Sequence, residues 1–111
     1  MQRTGGGERM NRDKEKYYLH LDSVSTMVKS KVMENNEQWG RSPSIMHSLA
    51  IITEESSEVE RAARIFNKSR NRKNNDILIE ELLDLTAICV DLLIDLRQER
   101  PNLIRQEEVK E

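Results

Sequence analysis

Asp76-Ile-Leu-Ile-Glu-Glu-Leu-Leu-Asp-Leu-Thr-Ala-Ile-Cys-Val-Asp-Leu-Leu-Ile-Asp-Leu96 is the stretch from which the fold is read. Leu78, Leu82, Leu85, Cys89, Leu92 and Leu96 recur at helical spacing and form one apolar stripe. Ile79, Leu83, Ala87, Val90 and Ile94 form a second. A helix apolar over so much of its circumference needs cover on several sides. The spacing predicts that it begins at Asp76, capped by Asn75 or Asn74. It is expected to run to about Glu99, stopping before Pro101.

Upstream, residues 67–75 are polar and basic and read as a loop. Before them a second helix is expected from Ser42-Pro43, a capping serine followed by proline at the first helical position, to about Phe66-Asn67. Its apolar stripe is Ile45, Leu49, Ile52, Val59, Ala63 and Phe66. A first helix is expected from Asp13, capped by Asn11 or by Asp13 itself, with Tyr17, Leu21, Val24 and Val28 on one face. It should fade at Glu34-Asn35-Asn36, and Trp39-Gly40 should lead into a turn. Residues 1–12, which include Gly5-Gly6-Gly7, read as a flexible arm. Residues 13–100 read as one helical domain and 101–111 as a polar tail that frays.

The expected fold is therefore all-α, an antiparallel helical hairpin plus an N-terminal helix. Three helices leave the last one undercovered, so oligomerisation is expected to complete a four-helix-type bundle, as a homodimer or homotetramer. Composition agrees with associating amphipathic helices: of 111 residues, 36% are hydrophobic, 34% charged and 4% aromatic. The net charge of -2 provides no general attraction to nucleic acid or an anionic membrane, and neither is expected as a partner. No apolar run has the ~18 residues of a membrane span. The opening residues lack the apolar core of a secretion signal. The one cysteine, Cys89, excludes a disulfide within the chain and reads as a small core residue. A cytoplasmic location is the expectation.

Two acidic clusters carry the chemistry. Glu54-Glu55-Ser56-Ser57-Glu58 lies on the second helix and Glu81-Leu82-Leu83-Asp84 on the third. Residues three or four apart share a helical face, so Glu55 projects with Glu58, and Glu81 with Asp84. In an antiparallel hairpin, residues at one height have position numbers of constant sum. Glu58 with Glu81, and Glu55 with Asp84, both give 139, placing the midpoint inside the basic loop. The hairpin alone thus predicts two facing levels of carboxylates. Their flanks are apolar (Ile51, Ala62 and Ile65 on one helix; Ile77 and Ile88 on the other), so partial burial is expected. Half-buried carboxylates repel and lose hydration at several kcal/mol each, penalties a bound cation offsets. An all-oxygen site favours Mg²⁺, with Mn²⁺ as a substitute, over zinc or copper. Neither a Glu-x-x-His pattern nor a phosphate-binding glycine loop is present.

Glu-Glu-x-x-Glu followed at a distance by Glu-x-x-Asp resembles the signature of the MazG-like, all-alpha nucleoside triphosphate pyrophosphohydrolases. Residues 59–80 separate the two halves, and the resemblance spans roughly residues 14–98, within the 13–100 domain. Trp39-Gly40 before the motif, Ala62-Ala63 after its first half and the apolar run from Leu85 to Leu93 also look like that family. Ser56-Ser57 departs from it, since related sequences often carry an apolar residue and glycine there. The resemblance implies Mg²⁺-dependent hydrolysis of a nucleoside triphosphate to monophosphate and pyrophosphate. By motif position, Glu55, Glu58, Glu81 and Asp84 would be metal ligands, and Glu54 would act with Glu55 in catalysis, orienting water or a ligand. Lys68, Arg70, Arg72 and Lys73 of the basic loop are the candidate holders of the phosphates, with Arg41 and Lys31 as further cations. Trp39 is a candidate for stacking on a base or for anchoring the turn. Asp91, one heptad past Asp84, is a further polar group of the site or an intersubunit ion-pair partner. Three rival readings are phosphoribosyl-ATP pyrophosphohydrolase, which shares the acid pattern, a non-catalytic helical assembly module, and a nucleic-acid binder, which rests only on the basic loop at 68–73 and is opposed by the net charge and the lack of interleaved aromatics.

Overall fold

The computed structural model describes residues 2–99 of the chain, with side chains from Gly7 onward. Every regular element among them is a helix: α1 (Gln2–Trp39), α2 (Ile45–Lys68) and α3 (Arg72–Arg97). The central helix is α3. It packs on α2 along one side and on α1 along another, and the backbones of α1 and α2 do not meet. The hairpin of α2 and α3 is as expected.

The helix boundaries differ from the expected ones, for local reasons. Between α2 and α3 the connection is short because Asn71, not Asn74 or Asn75, caps α3. The Asn71 side chain accepts from the Asn74 N–H at 2.8 Å, and the Asn74 side chain donates back to the Ser69 carbonyl at 2.8 Å. At the start of α2 the cap is Ser44 and not Ser42; its Oγ accepts from the His47 N–H at 3.1 Å. Ser42 instead receives a hydrogen bond from Ser48 Oγ at 2.7 Å and donates to the Ser44 carbonyl, which ties the connection to α2. Two serines at alternate positions, Ser42 and Ser44, compete for the cap, and only backbone conformation selects one.

Helix α1 does not fade at Glu34-Asn35-Asn36 but continues to Trp39. Asn36 donates to the Val32 carbonyl at 2.9 Å and to Asp91 of α3 at 3.1 Å, so a tertiary contact overrides poor helix propensity. Gly40 then ends the helix at φ 76°, a conformation costly to residues with a Cβ, and its N–H returns to the Asn36 carbonyl at 2.9 Å. At the other end α1 begins at Gln2, so residues 2–12, expected as an arm, form its first turns. Nothing packs on Gly7 to explain a helical path there, where glycine costs about 1 kcal/mol per residue relative to alanine. The tail 101–111 lies outside the described residues.

Little of the apolar surface is covered. Among the described residues, Ala62 and Ala87 are the buried apolar side chains. Tyr17, Leu21 and Val24 on α1 and Leu82, Leu93 and Leu96 on α3 are exposed. The most buried line of α3 is acid-bearing: Ala87 and Asp95 are inside, with Asp84, Ile88 and Asp91 half-buried around them. On α2 the buried Ser48 and Ala62 bracket half-buried Glu55 at heptad spacing. Of the stripes read as core from apolar character alone, Ala87 is buried and the other members are half-buried or exposed in the single chain.

Candidate functional site

Glu55 and Glu58 project from α2 toward Glu81 and Asp84 of α3, the heights that the hairpin register predicts. Carboxylate oxygens of Glu55, Glu58 and Glu81 lie within 4.8 Å of one another. Glu58 and Glu81 share a hydrogen bond, and Glu55 feels the charges of Glu58 and Asp84. All four are half-buried, whereas Glu54 and Glu80 beside them are exposed. Partial burial is the first cause raising Glu55 above the ordinary carboxylate range, with the charges of Glu58, Asp84, Glu81 and Glu54 acting in the same direction. Burial likewise raises Glu81, followed by the hydrogen bond and charge of Glu58, then by Asp84 and Glu80. These are the marks of carboxylates held together without enough positive charge.

The counter-charges nearby are unevenly distributed. Lys31 of α1 reaches Asp84 at 3.1 Å and Glu80 and Glu34 at 3.8 Å. Its ammonium is held above its ordinary pKa, chiefly by the hydrogen bond to Asp84, against a smaller opposing effect of burial. Arg41, in the α1–α2 connection, pairs with Asp91 at 3.4 Å and with the fully buried Asp95. Asp91, a candidate for the site or for an intersubunit pair, is thus engaged within the chain by Arg41 and Asn36. Glu55, Glu58 and Glu81 have no basic group within ion-pairing distance among the described residues. One Glu55 oxygen, Oε1, is buried without a hydrogen-bond partner. A buried, unpaired oxygen at the junction of three or four carboxylates fits a hard divalent cation, which takes several oxygen ligands.

A cavity of about 470 Å³ adjoins this cluster, in the range of small-molecule sites. It lies between the end of α1 and the start of α2, above α3. Its floor is apolar (Ala87, Ile88), its walls are mixed (Val32, Asn35, Asn36, Ile51, Ser48), and Trp39 and His47 stand at its edges. Glu54, Glu55 and Asp84 line it as well, so the cavity opens onto the acids. Trp39, 76% exposed, is no packing anchor in the single chain; it has a free face at the cavity.

The basic residues of the hairpin turn are elsewhere. Lys68 ends α2, Arg72 and Lys73 begin α3, and Arg70 lies over the Phe66 ring at 5.7 Å and donates to Asn67 at 2.8 Å. From Lys73 to Glu81 the helix rises roughly 12 Å. None of the four lines the cavity. The cations that do stand beside the acids come from α1 and its connection, and no local pattern in the sequence marks Lys31 or Arg41 as their partners. His20 is exposed and remote from His47 in sequence, and Cys89 is half-buried on α3. Among the described residues no helix is long and apolar enough to cross a membrane. Compared with protein-family models, curated proteins and solved structures, the chain matches none.

Proposed function

We propose that this chain is a Mg²⁺-dependent nucleoside triphosphate pyrophosphohydrolase of the MazG-like kind. The observation that carries the reading is the cluster of Glu55, Glu58 and Glu81, without a basic partner among the described residues, next to a 470 Å³ cavity that Glu55 and Asp84 line. In this reading Glu55, Glu58, Glu81 and Asp84 hold Mg²⁺, for which Mn²⁺ substitutes. The bound ion supplies charge neutralisation at the phosphates and lowers the pKa of a water. The cavity takes the nucleoside, with Trp39 free to stack on the base. Glu54, exposed and on the cavity wall, accepts the proton of the attacking water, with Glu55 beside it orienting that water. The water oxygen bonds to the α-phosphorus, the bond from that phosphorus to the bridging oxygen breaks, and pyrophosphate leaves with the electron pair. Positioning and charge suffice for such a step without a covalent nucleophile.

The exposed apolar faces of α1 and α3 favour self-association, as a homodimer or homotetramer that completes the bundle. Sedimentation at several concentrations measures it; a monomer at every concentration would remove this part. The same exposed faces also favour the assembly-module reading, in which the acids are a charged rim.

The deciding experiment incubates the protein with Mg²⁺ and a panel of canonical and modified nucleoside triphosphates and phosphoribosyl-ATP, and measures pyrophosphate release. Release abolished by both Glu55→Gln and Asp84→Asn supports the enzyme and names its substrate. No release from any nucleotide, with no effect of Mg²⁺ on the stability of the parent or either variant, would leave the assembly module.

A further inference from the structure

Lys31 stands where a metal-dependent site would meet a competing charge. It is the only basic side chain among the described residues within 4 Å of any of the four motif carboxylates, and it touches one, Asp84, at 3.1 Å. Its side chain is 22% exposed, and two further carboxylates, Glu34 and Glu80, lie at 3.8 Å. Asp84 is therefore shared. On one side it faces the ammonium; on the other it adds its charge to the uncompensated Glu55 and Glu81. An oxygen cannot give its full charge both to an ammonium and to a divalent cation, and two cations at one carboxylate repel.

Resting on the metal site proposed above, we infer that Lys31 is a built-in counter-cation, which occupies Asp84 in the metal-free protein and which a divalent ion must displace to bind. Lys31 is then a positioning residue. It offsets the charge of Asp84 while the cluster is empty, tying α1 to α3, and it sets how tightly the cluster takes metal. A simple strut between helices would stabilise the fold and leave metal affinity unchanged.

The test is direct binding of Mn²⁺, followed by the electron paramagnetic resonance of the free ion, to the parent, Lys31→Met, Lys31→Arg and Lys14→Met. Lys14→Met removes the same charge from a distant, exposed position on α1. Lys31→Met is expected to tighten Mn²⁺ binding about tenfold, ~1.4 kcal/mol. Lys31→Arg, which keeps the charge, and Lys14→Met should bind nearly as the parent does. Thermal unfolding supplies the second readout. Lys31→Met should melt below the parent without metal, and saturating Mn²⁺ should narrow that gap, because ligand stabilisation grows with affinity. Unchanged or weaker binding by Lys31→Met, with the parent binding Mn²⁺, overturns this inference alone. Equal tightening in Lys14→Met overturns it too, since net charge would then be the cause. If neither the parent nor Lys31→Met binds Mn²⁺, the inference falls together with the metal site. Binding by Lys31→Met alone supports it in its strongest form.

Discussion

Two groups of acids face inward from α3 or toward it, and they are treated differently. Asp91 and Asp95 meet Arg41, and Asp91 also accepts from Asn36. Glu55, Glu58 and Glu81 meet one another. The first group closes the α1–α2 connection onto α3, and its charges are compensated within the chain. The second is left with raised carboxyl pKa values at Glu55 and Glu81 and a buried oxygen without a partner. A fold that can supply a guanidinium to one pair of acids and leaves three others unmatched roughly two to four turns away distinguishes ion pairs that build structure from carboxylates available to a ligand. Asp84, paired with Lys31 yet adjoining the unmatched three, stands at the boundary.

The contrast predicts opposite responses to mutation. The largest effect is expected at the unmatched acids. Glu81→Gln should lower pyrophosphate release by about a hundredfold or more, as loss of a metal ligand does when metal and positioning supply most of the catalysis. The folded protein without metal should be no less stable than the parent, because a repelling charge has gone. A Glu81→Gln protein that keeps full activity would remove Glu81 from the site.

At the matched acids the effect should fall on stability. Arg41→Met takes away the partner that Asp95, 0% exposed, meets across the connection. Breaking a buried pair costs about 3–5 kcal/mol, and the partial exposure of Arg41 reduces this to about 2–3 kcal/mol. Urea unfolding measures it, and a loss below about 0.5 kcal/mol would show the pair to be a surface contact.

Acidity sharpens the comparison further. In the folded chain Glu55 and Glu81 hold protons more tightly than in the unfolded chain, where the ordinary value is near 4.5. Their contribution is therefore least unfavourable below that value, and stability declines as pH rises through the raised folded values. Mg²⁺ should reverse the decline. Melting temperatures from pH 4 to 8, with chelator and with Mg²⁺, should diverge as pH increases. Parallel curves would mean that the acids do not take the ion.

The smallest effect is local to the hairpin turn. Asn71→Ala removes the cap of α3 and should cost about 1 kcal/mol, read in the same urea unfolding, with little change in metal binding. A change in metal affinity as large as that at Glu81 would show that the turn controls the register of the acids.

The register itself was legible. Helical spacing places Glu55 with Glu58 and Glu81 with Asp84, and the constant sum across a hairpin pairs the two levels, because both follow from the 3.6-residue repeat and a short connection. The observed turn, centred near Ser69–Asn71, leaves that pairing intact although α3 starts at Arg72 and not at Asp76. Helix ends were less legible because Ser42 and Ser44, or Asn71, Asn74 and Asn75, offer the same capping chemistry, and the choice depends on the path of the chain.

From the sequence alone came the helices, the hairpin and the meeting of Glu55, Glu58 and Glu81, all consequences of short-range periodicity. Tertiary structure decided which faces turn inward and which cations attend the acids. Apolar character marked Leu78, Leu82 and Leu85 as core, yet the inner line of α3 runs through Asp84, Ala87, Asp91 and Asp95. It can do so because Lys31, Asn36 and Arg41 arrive from α1 and its connection, more than forty residues away in sequence. Periodicity assigns a stripe to a helix but does not name the stripe's partner. Ion pairs that span such separations depend on how α1 lies across α3, and that is a property of packing.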